Sequence, residues 1–168
     1  MKEINPNEFD RIFDTIGHKW MLIGACDDKH KPLNYNTMTA SWGGMGVLWN
    51  KNVFWCFVRP QRYTKEFIDN SDKITLSFFD ESYKNALTVC GRKSGRDGDK
   101  ISEAGLTVKV ENGEVYFNEA RYTVVGRKLY VDEIKKSGFL DMSIVNNYYS
   151  GEDFHTVYIC EIEKIIEK

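Results

Sequence analysis

Three short segments gather the side chains that could grip an anionic, aromatic small molecule. In Asn36-Thr37-Met38-Thr39-Ala40-Ser41-Trp42-Gly43-Gly44, amide and hydroxyl groups precede a tryptophan and two glycines. Thr39 and Ser41 stand two apart, so an extended backbone turns both hydroxyls to one side. With the intervening backbone N–H groups they could meet one phosphate, and Trp42 would offer an aromatic wall. The alternative is a polar strand edge followed by a glycine turn. In Val58-Arg59-Pro60-Gln61-Arg62-Tyr63-Thr64, a proline ends a strand-type run and two arginines flank a turn into a helix-type run. Arginine presents a planar fork of donors matched to phosphate, and a helix start adds backbone N–H groups. Solvated arginines at a turn are the competing reading. The third segment, Cys90 to Lys100, holds Arg92, Lys93, Arg96 and Lys100 among three glycines. Its spacing is not that of a P-loop, since the lysine follows the first glycine too soon, but a flexible anion-touching loop fits. Nucleic acid is the rival ligand for such a loop. A net charge of −2 and the nearby Asp97 and Asp99 argue against it.

Sets of residues that would do chemistry unaided are missing. His18, His30 and His155 form no H-E-x-x-H and share no short spacing with a cysteine, and no G-x-S-x-G elbow occurs. Gly43-Gly44-Met45-Gly46 matches a dinucleotide fingerprint only in its glycines, without the strand and helix that motif needs. Candidate phosphate-binding groups, 14% aromatic residues and no acid, base or nucleophile constellation suit a chain whose chemistry resides in a bound cofactor.

The elements that must position these segments are mostly strands. Runs rich in β-branched and aromatic residues are Trp20 to Ala25, Val53 to Val58, Lys73 to Phe79, Leu106 to Val110, Glu114 to Phe117, Arg121 to Tyr130 and Phe154 to Ile162. Asn112-Gly113 between two of them predicts a hairpin. Asn5-Pro6-Asn7-Glu8 reads as a helix start, with Phe9, Ile12, Phe13 and Ile16 at helical spacing and Gly17 to close it. Shorter helices are expected at Arg62 to Asn70, Glu81 to Val89, Lys100 to Ala104 and around Phe139 to Asn147. This pattern predicts a mainly β chain closing into a barrel with small peripheral helices, and not a doubly wound parallel sheet.

A chain of 168 residues is expected to form a single domain over 1 to 168 with one continuous core. The longest apolar run, Trp20 to Cys26, falls well short of the roughly 18 residues of a membrane helix, so no membrane partner is expected. The first twenty residues carry seven charges and no apolar stretch of a secretory signal, which places the expected compartment in the cytoplasm. Cys26, Cys56, Cys90 and Cys160 lie far apart with no C-x-x-C pair, and are read as reduced, buried thiols without a metal.

With these segments in their order, the sequence resembles the flavin reductase-like family of FMN-binding split barrels, most closely its flavoredoxin branch. The resemblance spans roughly residues 10 to 165. It rests on N-T-M-T-A-S-W at 36 to 42, R-P-Q-R-Y-T at 59 to 64, S-F-F at 77 to 79, C-G-R-K-S-G-R-D-G-D-K at 90 to 100 and F-H-T-V-Y-I-C-E-I at 154 to 162. It implies a six-stranded antiparallel Greek-key split barrel, a homodimer, and FMN in a groove near the subunit interface. Of the cofactor-binding segment Asn36, Thr37, Met38, Thr39, Ala40, Ser41 and Trp42, the resemblance puts Asn36 and Trp42 on the flavin ring or ribityl chain. It puts Thr39, Ser41, Arg59, Arg62 and Thr64 on the phosphate, Lys93 on the flavin or its phosphate, and His155 beside the reacting rings as the catalytic residue. Cys160 stands where flavin reductases usually carry a glycine. The implied activity passes electrons from NADH or NADPH through FMN to free flavin or another acceptor. Two alternatives share the site: a flavoredoxin-type carrier that holds FMN permanently and serves a redox protein partner, and a flavin-binding module without turnover. The apolar segment Phe139 to Tyr149 is the candidate interface or lid.

Overall fold

The β-branched and aromatic runs all become strands. The computed structural model describes residues 2–4, 12–27 and 34–168, and in these the strands are β1 (Lys2–Ile4), β2 (Met21–Asp27), β3 (Asn34–Ala40), β4 (Gly43–Leu48), β5 (Lys51–Val58), β6 (Lys73–Phe78), β7 (Val108–Glu111), β8 (Glu114–Phe117), β9 (Tyr122–Glu133) and β10 (Thr156–Glu167). Helices are short: α1 (Thr64–Asn70), α2 (Lys84–Arg92), α3 (Lys100–Glu103) and α4 (Met142–Tyr148). Antiparallel ladders run in the order β3-β2-β6-β9-β10-β5-β4, with β1 added to the far half of β10. No ladder joins β3 to β4 among the described residues, so the barrel is split there. The end of β3 and the start of β4 flank that split, and Ser41 and Trp42 connect them.

Two cores share β2. Met21, Ile23 and Ala25 face an inner cluster with Met38, Phe54, Cys56, Leu76, Val124, Tyr158 and Cys160, plugged by Phe67 and Ile68 of α1. Leu22 and Cys26, on the opposite face as strand alternation requires, join an outer cluster with Leu87 and Cys90 of α2, Ile101 of α3 and Val115 of β8. Between them, Gly24 lets the β7–β8 hairpin close down, because a Cβ there would lie 2.7 Å from Thr75 Oγ1 and 3.0 Å from Val115 Cβ. That hairpin turns on Asn112 and Gly113, both left-handed at φ 52° and 76°, as a two-residue primed turn requires. A buried carboxylate ties it to the barrel: Glu114 accepts from Lys73 at 2.6 Å and pairs with Lys164 at 2.8 Å.

The expected mainly β split barrel with short helices is found, with differences in detail. The main sheet has eight strands, not six: a run of seven that ends in β3 and β4, with β1 added on β10. The expected helix from Asn5 lies largely outside the described residues. Of its described end, Ile12 and Phe13 are helical, and a wider π-type turn covers Asp14–His18. All four cysteines are buried, and none forms a disulfide among the described residues. No described helix is long and apolar enough to cross a membrane.

Candidate functional site

The split in the barrel is where the candidate residues converge. An open cleft of about 220 Å3 is lined by Met38, Thr39, Ala40, Ser41, Trp42, Phe57, Arg59, Arg62 and His155. Its walls come from the end of β3, the end of β5 and the start of β10. The register Thr156↔Val58 between β10 and β5 brings His155 beside the Arg59 end of β5. Two further clefts adjoin it. One of about 310 Å3 shares Thr39, Ala40 and Ser41 and runs along α2 to Trp20. The other, of about 100 Å3, shares Arg62 and is bounded by Gln61, Thr64, Gly91, Arg92, Lys93, Ser94 and Lys100.

The first cleft is aromatic. Trp42 lies edge-on to Tyr148 at 5.4 Å and tilted against His155 at 5.1 Å, while Phe57 stands perpendicular to His155 at 6.3 Å. His155 is buried, and its Nδ1 shares a 2.8 Å hydrogen bond with the Tyr149 hydroxyl. Burial, and then the Arg59 guanidinium, push its pKa down to about 4, against a smaller opposing pull from Asp153. His155 is therefore neutral at neutral pH.

The small cleft is cationic. Lys100 is buried and donates to the carbonyls of Cys90 at 3.1 Å and Lys93 at 3.2 Å. Arg62 donates to the Gly91 carbonyl at 3.1 Å. Neither pairs with a carboxylate among the described residues. Desolvation pulls the Lys100 ammonium down to about 8, with the Arg62 charge adding in the same direction. Two adjacent cations held only by neutral carbonyls form a site short of negative charge.

The sequence-predicted residues divide into three groups. Met38, Thr39, Ala40, Ser41, Trp42, Arg62, Thr64 and His155 line the clefts. Arg59 and Lys93 line them too but are committed elsewhere: Arg59 forms an ion pair with Asp153 and donates to the Tyr148 carbonyl at 2.8 Å, and Lys93 is paired with Glu103. The Thr39 hydroxyl is likewise taken, donating to the Leu87 carbonyl at 2.5 Å. Thr37 and Asn36 are buried in the sheet. Thr37 donates to the Ile23 carbonyl, and Asn36 packs under Gly95 with Nδ2 unpartnered, so neither borders these clefts. Arg92, Ser94 and Lys100, which the sequence offers only as members of the basic loop without a role of their own, and Phe57, which it does not single out, complete the walls. Besides its place in that loop, Lys100 has a second signal: Asp99 caps α3 by accepting from Ser102 N at 3.0 Å, which makes Lys100 the first helical residue.

No protein-family model and no curated protein matches the sequence. Solved structures do match its fold. The flavoredoxin of Desulfovibrio vulgaris (Miyazaki F) superposes with a TM-score of 0.66 at 20% identity, over 100% of this chain and 77% of that one. The FMN-binding domain of a flavin reductases-like enzyme from Shewanella baltica OS155 gives 0.66 at 12% identity, over 98% and 75%. Flavoredoxin from Methanosarcina acetivorans gives 0.64 at 16%, over 96% and 76%.

Proposed function

We propose, from the premise that this chain has the fold of the flavin reductase-like FMN-binding split barrels, that it is an FMN-binding redox protein. The observation that carries this reading is the pairing of an aromatic cleft with an adjoining cleft in which half-buried Arg62 and buried Lys100 pair with no carboxylate among the described residues. FMN combines a flat ring system with a terminal phosphate, and so matches both halves. Its phosphate would supply the anion that Arg62 and Lys100 lack, aided by Thr64, Arg92, Ser94 and Lys93. Thr39, Ala40, Ser41 and Trp42 would border the ring, with their backbone groups and the Trp42 face available because the Thr39 hydroxyl is occupied. When bound, FMN supplies one- and two-electron chemistry that no side chain here carries. The protein's own part is to exclude water with Trp42, Phe57 and Tyr148 and to hold neutral His155 at the cleft wall.

NADH or NADPH is the proposed electron donor, with free flavin or another acceptor receiving the electrons. A second reading, favoured by the likeness to two flavoredoxins, is an electron carrier that keeps FMN and serves a redox protein partner. Four buried cysteines that form no disulfide among the described residues suit a reducing compartment such as the cytoplasm. Isothermal titration with FMN, riboflavin and FAD tests the cofactor: FMN should bind at least about tenfold more tightly than riboflavin, the equivalent of about 1.4 kcal/mol. Equal binding of the two would remove the phosphate from the argument. Anaerobic addition of NADH or NADPH to the loaded protein then separates the readings, since bleaching of the flavin absorbance marks a reductase and persistence of it a carrier.

A further inference from the structure

The hydrogen-bond pattern around His155 specifies more than its presence in the cleft. Asn36 Nδ2 is the one fully buried side-chain polar atom without a partner among the described residues. His155 Nε2 also has no partner, so it is open to the cleft that His155 lines. Nδ1, in contrast, is held at 2.8 Å by Tyr149, which ends α4 and is itself buried. Tyr149 is fixed by packing: it stacks on Phe154 at 4.8 Å, meets Phe139 at 5.8 Å, and carries the Arg59 guanidinium over its ring at 5.3 Å.

We propose that Tyr149 is a positioning residue that fixes His155 as its Nε2–H tautomer, making it a constant hydrogen-bond donor to the cleft instead of a proton carrier. Such a donor selects a ligand that presents an acceptor at that wall, a class that includes the ring carbonyls of a flavin and the carboxamide oxygen of a nicotinamide. A phenol has one hydrogen to give, and imidazole nitrogen accepts it well, so the Tyr149 hydroxyl donates to Nδ1 and leaves the ring proton on Nε2. The charged and titratable groups facing this pair support it from three elements. Arg59, at the end of β5, disfavours a second positive charge on the imidazole. Asp153, before β10, opposes that effect only weakly because it is neutralised by Arg59 and by a hydrogen bond from Gln61 at 2.7 Å. Tyr149, the C-cap of α4, stays a phenol because burial raises its pKa above the ordinary value. With His155 itself lowered to about 4, the pair keeps one proton arrangement across neutral pH.

Only the identity of the ligand rests on the proposed function; the tautomer is read without any ligand. Nitrogen-15 NMR of the imidazole rings in the ligand-free protein is the first test. The expected result is an unprotonated Nδ1 and a protonated Nε2 for His155, unchanged between about pH 6 and pH 9. An Nδ1–H tautomer, or a signal averaged between the two forms, would overturn the inference. In Tyr149→Phe, the two nitrogen signals should move towards an average while the ring stays neutral; an unchanged pure Nε2–H signal would show that Tyr149 does not position the ring. The second test compares His155→Gln, whose amide nitrogen reaches a position near Nε2, with His155→Ala, using FMN and NAD+ as probes. His155→Ala should lose up to about tenfold in affinity for one of the two probes, and His155→Gln should recover most of that loss. The probe that responds identifies which acceptor faces His155. No loss for either probe would end the selection role. Absence of any FMN binding to the unmodified protein would defeat the proposed function while the NMR result still decides the tautomer.

Discussion

Lys100 is the side chain whose environment is hardest to reconcile with an empty protein surface. A buried ammonium bonded to two carbonyls, with a guanidinium as its charged neighbour, is disfavoured by both desolvation and repulsion. Replacing it by methionine should therefore cost the ligand-free fold little or stabilise it, while FMN affinity falls about ten- to a hundredfold and riboflavin affinity holds. Thermal unfolding and titration of the same variant read the two effects. The pH dependence has a definite sign. Because the folded pKa lies near 8, below the usual lysine value, Lys100 loses its charge in the free protein above about pH 8, where an unfolded chain would keep it. FMN affinity should weaken above that pH, by up to tenfold per unit, with riboflavin unaffected. Stability of the ligand-free protein should gain from this group between about pH 8 and pH 10.5. A phosphate-independent pH profile would contradict the assignment. At this scale the sequence was a good guide to which segments meet, and a poor one to which donors are free. Arg59 and Lys93 looked like anion ligands because arginine and lysine in loops advertise charge. Their neutralising partners, Asp153 and Glu103, arrive only through the β5–β10 register and the packing of α2 on α3.

The elements show the same division between local and non-local information. The β7–β8 hairpin was legible because Asn112-Gly113 carries its own left-handed propensity. The β4–β5 hairpin was not, because Trp49 and Asn50 take left-handed conformations at φ 54° and 56° without a glycine to announce them. In β3, the polar residues Asn34, Asn36, Thr37 and Thr39 hid a strand whose interior positions are buried under α2 and the loop at Gly95. The apolar run at β2 was correctly read as a strand, but its burial on both faces depends on the hairpin that closes over it. Gly24 carries that closure. Gly24→Val should lower stability by about 1–3 kcal/mol through overpacking against Thr75 and Val115, seen as a lower urea midpoint with unchanged slope. A neutral effect would mean that the hairpin can shift away from β2 at no cost.

For the whole molecule, the surface argues for a partner, and a second copy of this chain is the proposed one. The segment Phe139 to Tyr149 splits by direction. Phe139 and Tyr149 pack inward on each other, whereas Leu140 is fully exposed and Met142, Ile144 and Tyr148 stand out to solvent. On β4, whose outer edge is unpaired among the described strands, Val47 is 73% exposed, and Trp49 in the turn that follows is 55% exposed. An exposed apolar strand edge and an exposed apolar helix face are both features that solution partners usually cover. A standard interface needs about 800 Å2 from each partner, roughly a tenth of the 9248 Å2 surface. The helix face also reaches the cleft: Tyr148 touches Trp42 with its ring and holds Arg59 with its carbonyl, so covering α4 would brace the cleft wall. Sedimentation equilibrium should therefore give about twice the 19.5 kDa chain mass. The double variant Leu140→Glu with Ile144→Glu should shift it towards the single mass and weaken FMN binding several-fold, although neither residue lines the clefts. A mass of 19.5 kDa with FMN fully bound would show instead that one chain encloses its cofactor alone.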